Sequence, residues 1–156
     1  MKITKELLKE KGACVDGYRA FLEEYPEKKF PDGVEYQELL DVCAEKNWEY
    51  GVWLLNKFGP TNEIREIEGD LIAEKSIIFA GQIQVSGGIE AGEGIKAGLG
   101  IEAGWGIKAG EEIEAGEGFG IYAGLCRKIT DHKFRKIIAA ERPKNIMCGE
   151  FEEKKA

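Results

Sequence analysis

Ile89–Gly118 reads IEAGEG, IKAGLG, IEAGWG, IKAGEE, IEAGEG, one six-residue phrase written five times. A period this short requires near-identical backbone units stacked on one another. Within each phrase the Ile and the Ala stand two residues apart. In a strand they face the same side, and the residue between them faces the other. The apolar pair therefore points into a core, while Glu90, Lys96, Glu102, Lys108 and Glu114 point to solvent. The Gly-x-Gly that follows supplies a corner, where glycine is expected to take positive φ. One unit alone cannot bury its Ile, whereas coils of units stacked on each other can.

Counting back in sixes from Ile89 lands on Ile83, Ile77 and Leu71, each followed two residues later by Val85, Phe79 or Ala73. The pattern thus runs unbroken over eight units from Leu71 to Gly118. Phe119-Gly120 reads as a two-residue insertion, after which Ile121–Gly124 resumes the phrase once in a new phase. The charges set the number of units per coil. Two units per coil would stack Glu90, Glu102 and Glu114 into a like-charge ladder, which is unfavourable. Three units per coil set Glu90 beside Lys108 and Lys96 beside Glu114, and such opposite pairs contribute ~0.2–1 kcal/mol each. The expectation is a three-sided coil of eighteen residues.

Aliphatic first and small residue second is an order that resembles bactofilins, polymer-forming bacterial cytoskeletal proteins with a right-handed triangular β-helix. Left-handed hexapeptide-repeat acyltransferases tend to place the small residue two before the aliphatic one. The resemblance covers about Leu71–Gly124 and implies a right-handed prism. This repeat is richer in Ala-Gly than a bactofilin's, and a helical segment precedes it. The whole chain is also similar to small proteins of bacteriophages and their hosts. In these, a module like Ala13–Gly59, with its ACxxGxxxF, YQxLLD and WLLxKFG elements, precedes pentapeptide or hexapeptide-type repeats. That similarity implies a phage-encoded, anti-CRISPR-like inhibitor of a bacterial defence complex, acting by steric occupation of a protein partner.

Residues 1–60 read as four helices. Ile3, Leu7 and Leu8 mark the first, and Tyr18, Phe21 and Leu22 the second, stopped before Pro26. Tyr36, Leu39, Leu40 and Cys43 mark the third, and Trp48–Phe58 the fourth, ended by Gly59-Pro60. The fourth is apolar nearly all round and must be buried on more than one side. It is expected to cap the N-terminal end of the prism, whose strand edges need cover; the competing reading is an aromatic ligand pocket. Nine basic against twelve acidic residues in this segment argue against a DNA-recognition helix.

Residues 61–126 hold twelve acidic and four basic side chains, and residues 127–156 nine basic and five acidic. Strand-like Phe134–Ala139 and Asn145–Phe151 are expected to cover the far end of the prism, their basic groups beside its acidic faces. Lys133, Arg135, Lys136, Arg142 and Lys144 form the alternative, a basic patch for nucleic acid; nucleic acid is the less favoured partner. The fold class expected is therefore α+β: a helical cap (1–60), a three-sided parallel β-helix (61–126) and a C-terminal capping segment (127–156).

Catalytic patterns fail on spacing. A phosphate loop needs Gly before Lys and Ser or Thr after it, yet Ile precedes and Ala follows both Lys96 and Lys108. Gly92-x-Gly94-x-x-x-Gly98 misses the dinucleotide spacing. Glu111 and Glu112 are adjacent and diverge. His132 is the only histidine and lies outside the repeats, which leaves an acyltransferase relic the weakest reading. No metal and no cofactor are expected, because Cys14, Cys43, Cys126 and Cys148 lack zinc-like spacing. With no leader-like opening, they read as reduced thiols in a bacterial cytoplasm. No apolar run is long enough for a membrane span.

The fifth position of each unit is a corner: Glu93, Leu99, Trp105, Glu111, Glu117. Leu99 and Trp105 break an acidic series, and Trp is enriched at the centres of interfaces. These five residues are the expected interface, for a protein partner or for a homo-oligomer with a dimer favoured. The competing reading is that terminal segments fold over Trp105. The chain is thus expected to be a non-catalytic protein-binding protein, with an oligomerising scaffold of bactofilin type as the alternative.

Overall fold

The computed structural model describes residues 1–155. Strand β1 (Lys2–Ile3) leads into helices α1 (Lys5–Glu10) and α2 (Val15–Glu24). Strand β2 (Val34–Glu35), antiparallel to β1, leads into α3 (Tyr36–Lys46) and α4 (Trp48–Phe58). Three of the helices start where side chains can satisfy free backbone N–H groups. Thr4 Oγ1 accepts from Leu7 N, Cys14 Sγ from Gly17 N and Asn47 Oδ1 from Tyr50 N. At the end of α4, Gly59 takes φ +79°, which turns the chain out of the helix.

Thirteen short strands follow: β3 (Ile64–Ile67), β4 (Leu71–Ala73), β5 (Ile77–Phe79), β6 (Gln82–Val85), β7 (Ile89–Ala91), β8 (Ile95–Ala97), β9 (Ile101–Ala103), β10 (Ile107–Ala109), β11 (Ile113–Glu114), β12 (Ile121–Ala123), β13 (Lys136–Ala139), β14 (Ile146–Cys148) and β15 (Glu150–Glu153). They wind into a β-solenoid of three parallel sheets, β4-β7-β10-β13-β15, β5-β8-β11 and β3-β6-β9-β12-β14. The inward aliphatic positions repeat in register: Ile107 lies beside Ile89, Ile113 beside Ile95 and Ile101 beside Ile83, each eighteen residues apart. The inward Ile and Ala columns are almost wholly buried and form one continuous core from Ile77 to Ala139. Phe119-Gly120 is absorbed at a turn, so that Ile121 pairs with Ile101.

The charge ladder follows the same register. Lys108 lies 2.7 Å from Glu90, Lys75 2.9 Å from Glu93, and Lys96 pairs with Glu114. Lys108→Glu should therefore destabilise slightly, and adding Glu90→Lys should restore the pair. A double-mutant cycle in urea is expected to give a coupling of ~0.3–1 kcal/mol, and additive single effects would mean that the pair stabilises nothing.

Four features differ from the sequence reading. First, Ile64–Ile67 adds a rung upstream of Leu71, with Arg65 in register with the inward Ile83. Its guanidinium lies over the Phe79 ring at 4.6 Å and 3.6 Å from Asp41, so a cation occupies an end position of the apolar column without burying its charge.

Second, β13, β14 and β15 continue the solenoid. They do not lie across its end: β13 pairs with β10, β14 with β12 and β15 with β13, all parallel. The chain reaches them by an excursion from Cys126 to Arg135 that contains a 3₁₀ turn at His132–Phe134.

Third, the helical module covers one edge at the N-terminal end, and α3 makes the edge bonds. Gln37 donates to the Ile78 carbonyl (2.8 Å) and accepts from Ala80 N (3.0 Å), which satisfies the free edge of β5. Helix α4 lies beside it, with Gly51 against Ile78, the Trp48 ring against Gly94, and Trp48 Nε1 donating to Glu112 at 2.8 Å. β3 and β4 keep one unpaired edge each, as do β14 and β15 at the other end. Glu66, Glu68, Asp70 and Glu74 lie at the N-terminal end, while at the other end Glu150 contacts His132 and Arg135 and Glu152 pairs with Lys136.

Fourth, the corner glycines Gly92, Gly98, Gly104, Gly110 and Gly116 do not take positive φ. They are needed because a Cβ at each would overlap the carbonyl oxygen of the residue eighteen positions earlier.

Candidate protein-docking site

The five corner residues do not share one surface. Glu93 and Glu111 stack on Lys75 at the corner between β7 and β8, where Glu93 N donates to Lys75 O and Glu111 N to Glu93 O. Hydrogen bonds from Lys75 and Ser76 hold the Glu93 carboxyl below its ordinary range, so it acts as a corner brace. Leu99 is half-buried at the next corner, and Glu117 follows Gly116, whose N–H donates to the Leu99 carbonyl. Trp105 stands on the third corner, between β9 and β10, with its N–H on Gly87 O and its carbonyl accepting from Gly124 N.

Trp105 is the corner residue around which a surface is built. It remains 41% exposed, although the Cys126–Arg135 excursion supplies it with two neighbours. The Phe134 ring meets it edge-on at 5.6 Å, and the Arg127 guanidinium lies over both rings, 4.0 Å from Trp105 and 4.7 Å from Phe134. There Arg127 Nε is buried with no hydrogen-bond partner, and the ring faces take over part of the stabilisation of its charge. Leu125, just before this excursion, and Ile129, within it, are 50% and 77% exposed. A groove of about 270 Å3 that includes Trp105 runs over the outer face of β4, β7, β10 and β13, with Asp70 and Glu90 on the first two rungs and Lys108, Lys133 and Lys136 beyond them.

The basic residues of the C-terminal segment are largely committed. Lys136 pairs with Glu152, Arg135 lies 3.9 Å from Glu150 and donates to Ile129 O at 3.0 Å, and His132 contacts the same Glu150. Lys133 covers the Phe134 ring at 4.5 Å and Arg142 the Phe151 ring at 5.5 Å, while Lys144 is exposed on the segment crossing from β13 to β14. Among the described residues, most of the basic side chains named for this segment are thus held by a carboxylate, a carbonyl or an aromatic ring. Arg127 and Phe134 were not legible as site residues, since they lie in a non-repeating stretch and meet Trp105 only through the excursion.

Among the described residues, no helix is long and apolar enough to cross a membrane. Residues 1–58 match a known family model, the YdhT N-terminal domain. The match spans all four helices and stops where α4 does, so it covers none of the solenoid. No curated protein and no solved structure matches the chain.

Proposed function

We propose that this chain is a non-catalytic protein-binding protein whose docking surface is the Trp105 corner. The observation that carries the reading is the part-exposed Trp105–Arg127–Phe134 cluster, with the exposed Leu125 and Ile129 close to Arg127 in the chain. Aromatic and Arg side chains are the groups that dominate binding energies at protein interfaces. The mixed charge of the adjoining groove suits a protein surface better than a nucleic acid. The finer reading is a phage-encoded, anti-CRISPR-like inhibitor in a bacterial cytoplasm that occupies a defence complex sterically. It is supported by the likeness of Ala13–Gly59 to modules of phage and host proteins.

Capture of a partner from a bacterial host lysate, and light scattering of the purified chain, test the corner directly. Trp105→Ala is expected to weaken partner binding or dimerisation by ~30-fold or more, equivalent to ~2 kcal/mol. Because Trp105 also supports Arg127 and Phe134, its loss is expected to lower stability as well. Ile129→Asp separates the two effects: it should weaken association and leave the melting temperature unchanged. Unaltered association in both variants overturns the reading. The second reading, an oligomerising scaffold of bactofilin type, is favoured by the unpaired edges of β3, β4, β14 and β15. The helical module, whose Gln37 occupies the edge of β5, opposes it, and electron microscopy is expected to show discrete particles without filaments.

A further inference from the structure

The helical module holds a cavity of about 590 Å3, remote from the Trp105 groove and sharing no lining residue with it. All four helices contribute: Leu8 from α1, Phe21 from α2, Leu39 and Val42 from α3, Tyr50 and Trp53 from α4. Volumes of ~300–1,000 Å3 with mainly apolar and aromatic walls characterise small-molecule sites. A packed helical module has no structural need for such a space, since unfilled volume forfeits dispersion contacts.

The few polar groups define what fits. Glu24 and Glu49 lie at the wall, and the one cation there, Lys46, is engaged by Glu24 at 2.5 Å, so a ligand anion meets carboxylates and no free counter-charge. The inner wall carries no charge. Burial pushes the Cys43 thiol up to about 11 and the Tyr25 hydroxyl up to about 12, so both stay protonated at neutral pH. Neither can balance a cation at the inner wall, where burying an unpaired charge is costly, and the carboxylates of Glu24 and Glu49 sit at the exposed rim.

We infer that this cavity binds an uncharged, largely apolar small molecule packed against Phe21, Tyr50 and Trp53. The site is independent of the docking corner. Nile red, an uncharged dye whose emission shifts to the blue in apolar surroundings, is the probe, titrated into the full chain. Saturable binding of one dye per chain is expected. Ala20→Trp and Val42→Phe, which place rings into the space, should each weaken it at least tenfold with far-UV circular dichroism unchanged. Ile64→Ser and Met147→Ser, at exposed apolar positions elsewhere, should leave it intact. Cys14 lines the cavity and is exposed, whereas Cys126 is exposed on the solenoid. Saturating dye should therefore slow maleimide labelling of Cys14 severalfold and leave Cys126 unchanged in the unmutated protein. This arm stands even if a filled variant fails to fold. Absence of saturable binding, loss of binding in the serine variants, or an unprotected Cys14 overturns the inference.

Discussion

Gly110→Ala is expected to cost at least about 3 kcal/mol, at or beyond the upper end of what one added methyl group does in a packed protein. A Cβ at this position would overlap the Gly92 carbonyl oxygen of the coil below, with the Gly92 carbonyl carbon and Glu93 Cα close behind. The obstacle is backbone, so no rotamer change can relieve the overlap. Relief requires adjacent coils to separate, which weakens Gly110 N to Ala91 O and Glu111 N to Glu93 O, the two hydrogen bonds that close this corner. Gly118→Ala is the matched control. Gly118 has φ +81° and open space around it, so alanine there meets only the left-handed backbone penalty of ~1–2 kcal/mol. Urea unfolding followed by circular dichroism compares the two. If Gly118→Ala is the more damaging, the corner glycines serve the repeat through backbone freedom and not through the close approach of coils.

The distinction between these glycines marks the limit of what the repeat reveals. Alternation of Ile and Ala gives the inward face directly, because a strand has period two, and Glu90 against Lys108 gives the coil length, because charges must be neighbours to prefer opposite signs. Both are local or near-periodic properties. The reason for Gly104 is not local, since its neighbour is the Ser86 carbonyl one coil away. Arg65 hides a rung for a related reason: it reads as a polar break until Phe79 and Asp41 are brought beside it by the fold. The C-terminal rungs were masked by the Cys126–Arg135 excursion, which destroys the period while Ile137 still returns to the Ile107 column. That excursion also decides the candidate site. Trp105 was visible as a misfit in an acidic series, but its partners Arg127 and Phe134 carry no periodic signal. The helical module lies between these cases. Its helices and the edge cover were legible from apolar spacing, while the bonds that join Gln37 to β5 depend on an interface between a helix and a strand edge that share no period.

Ile101→Ala should cost about 3–5 kcal/mol. Ile101 is fully buried, in register with Ile83 below and Ile121 above, at the middle of the five-stranded sheet β3-β6-β9-β12-β14. Three features place it in the upper part of the range. The walls of the prism are strands hydrogen-bonded to neighbours on both sides, so they cannot collapse into the vacated space. The small partner, Ala103, cannot swing in to fill it. The adjoining Ile side chains are β-branched and restricted in χ1. A chain of this size loses about 2–4 °C per kcal/mol, so the melting temperature should fall by roughly 10 °C. Glu102→Ala tests the opposite face of the same strand. Glu102 accepts from Gln82 Nε2 at 2.7 Å and Gln84 Nε2 at 3.3 Å. Both amides are only half-buried and can turn to water, so the loss is held to about 0.5–1 kcal/mol. Thermal unfolding of the two variants side by side resolves a difference this large. Equal losses would mean that the outward amide ladder, and not the Ile column, holds the coils together. The stability of the solenoid would then rest on the surface that also presents its charges, and changes made there to alter binding could not be separated from changes in folding.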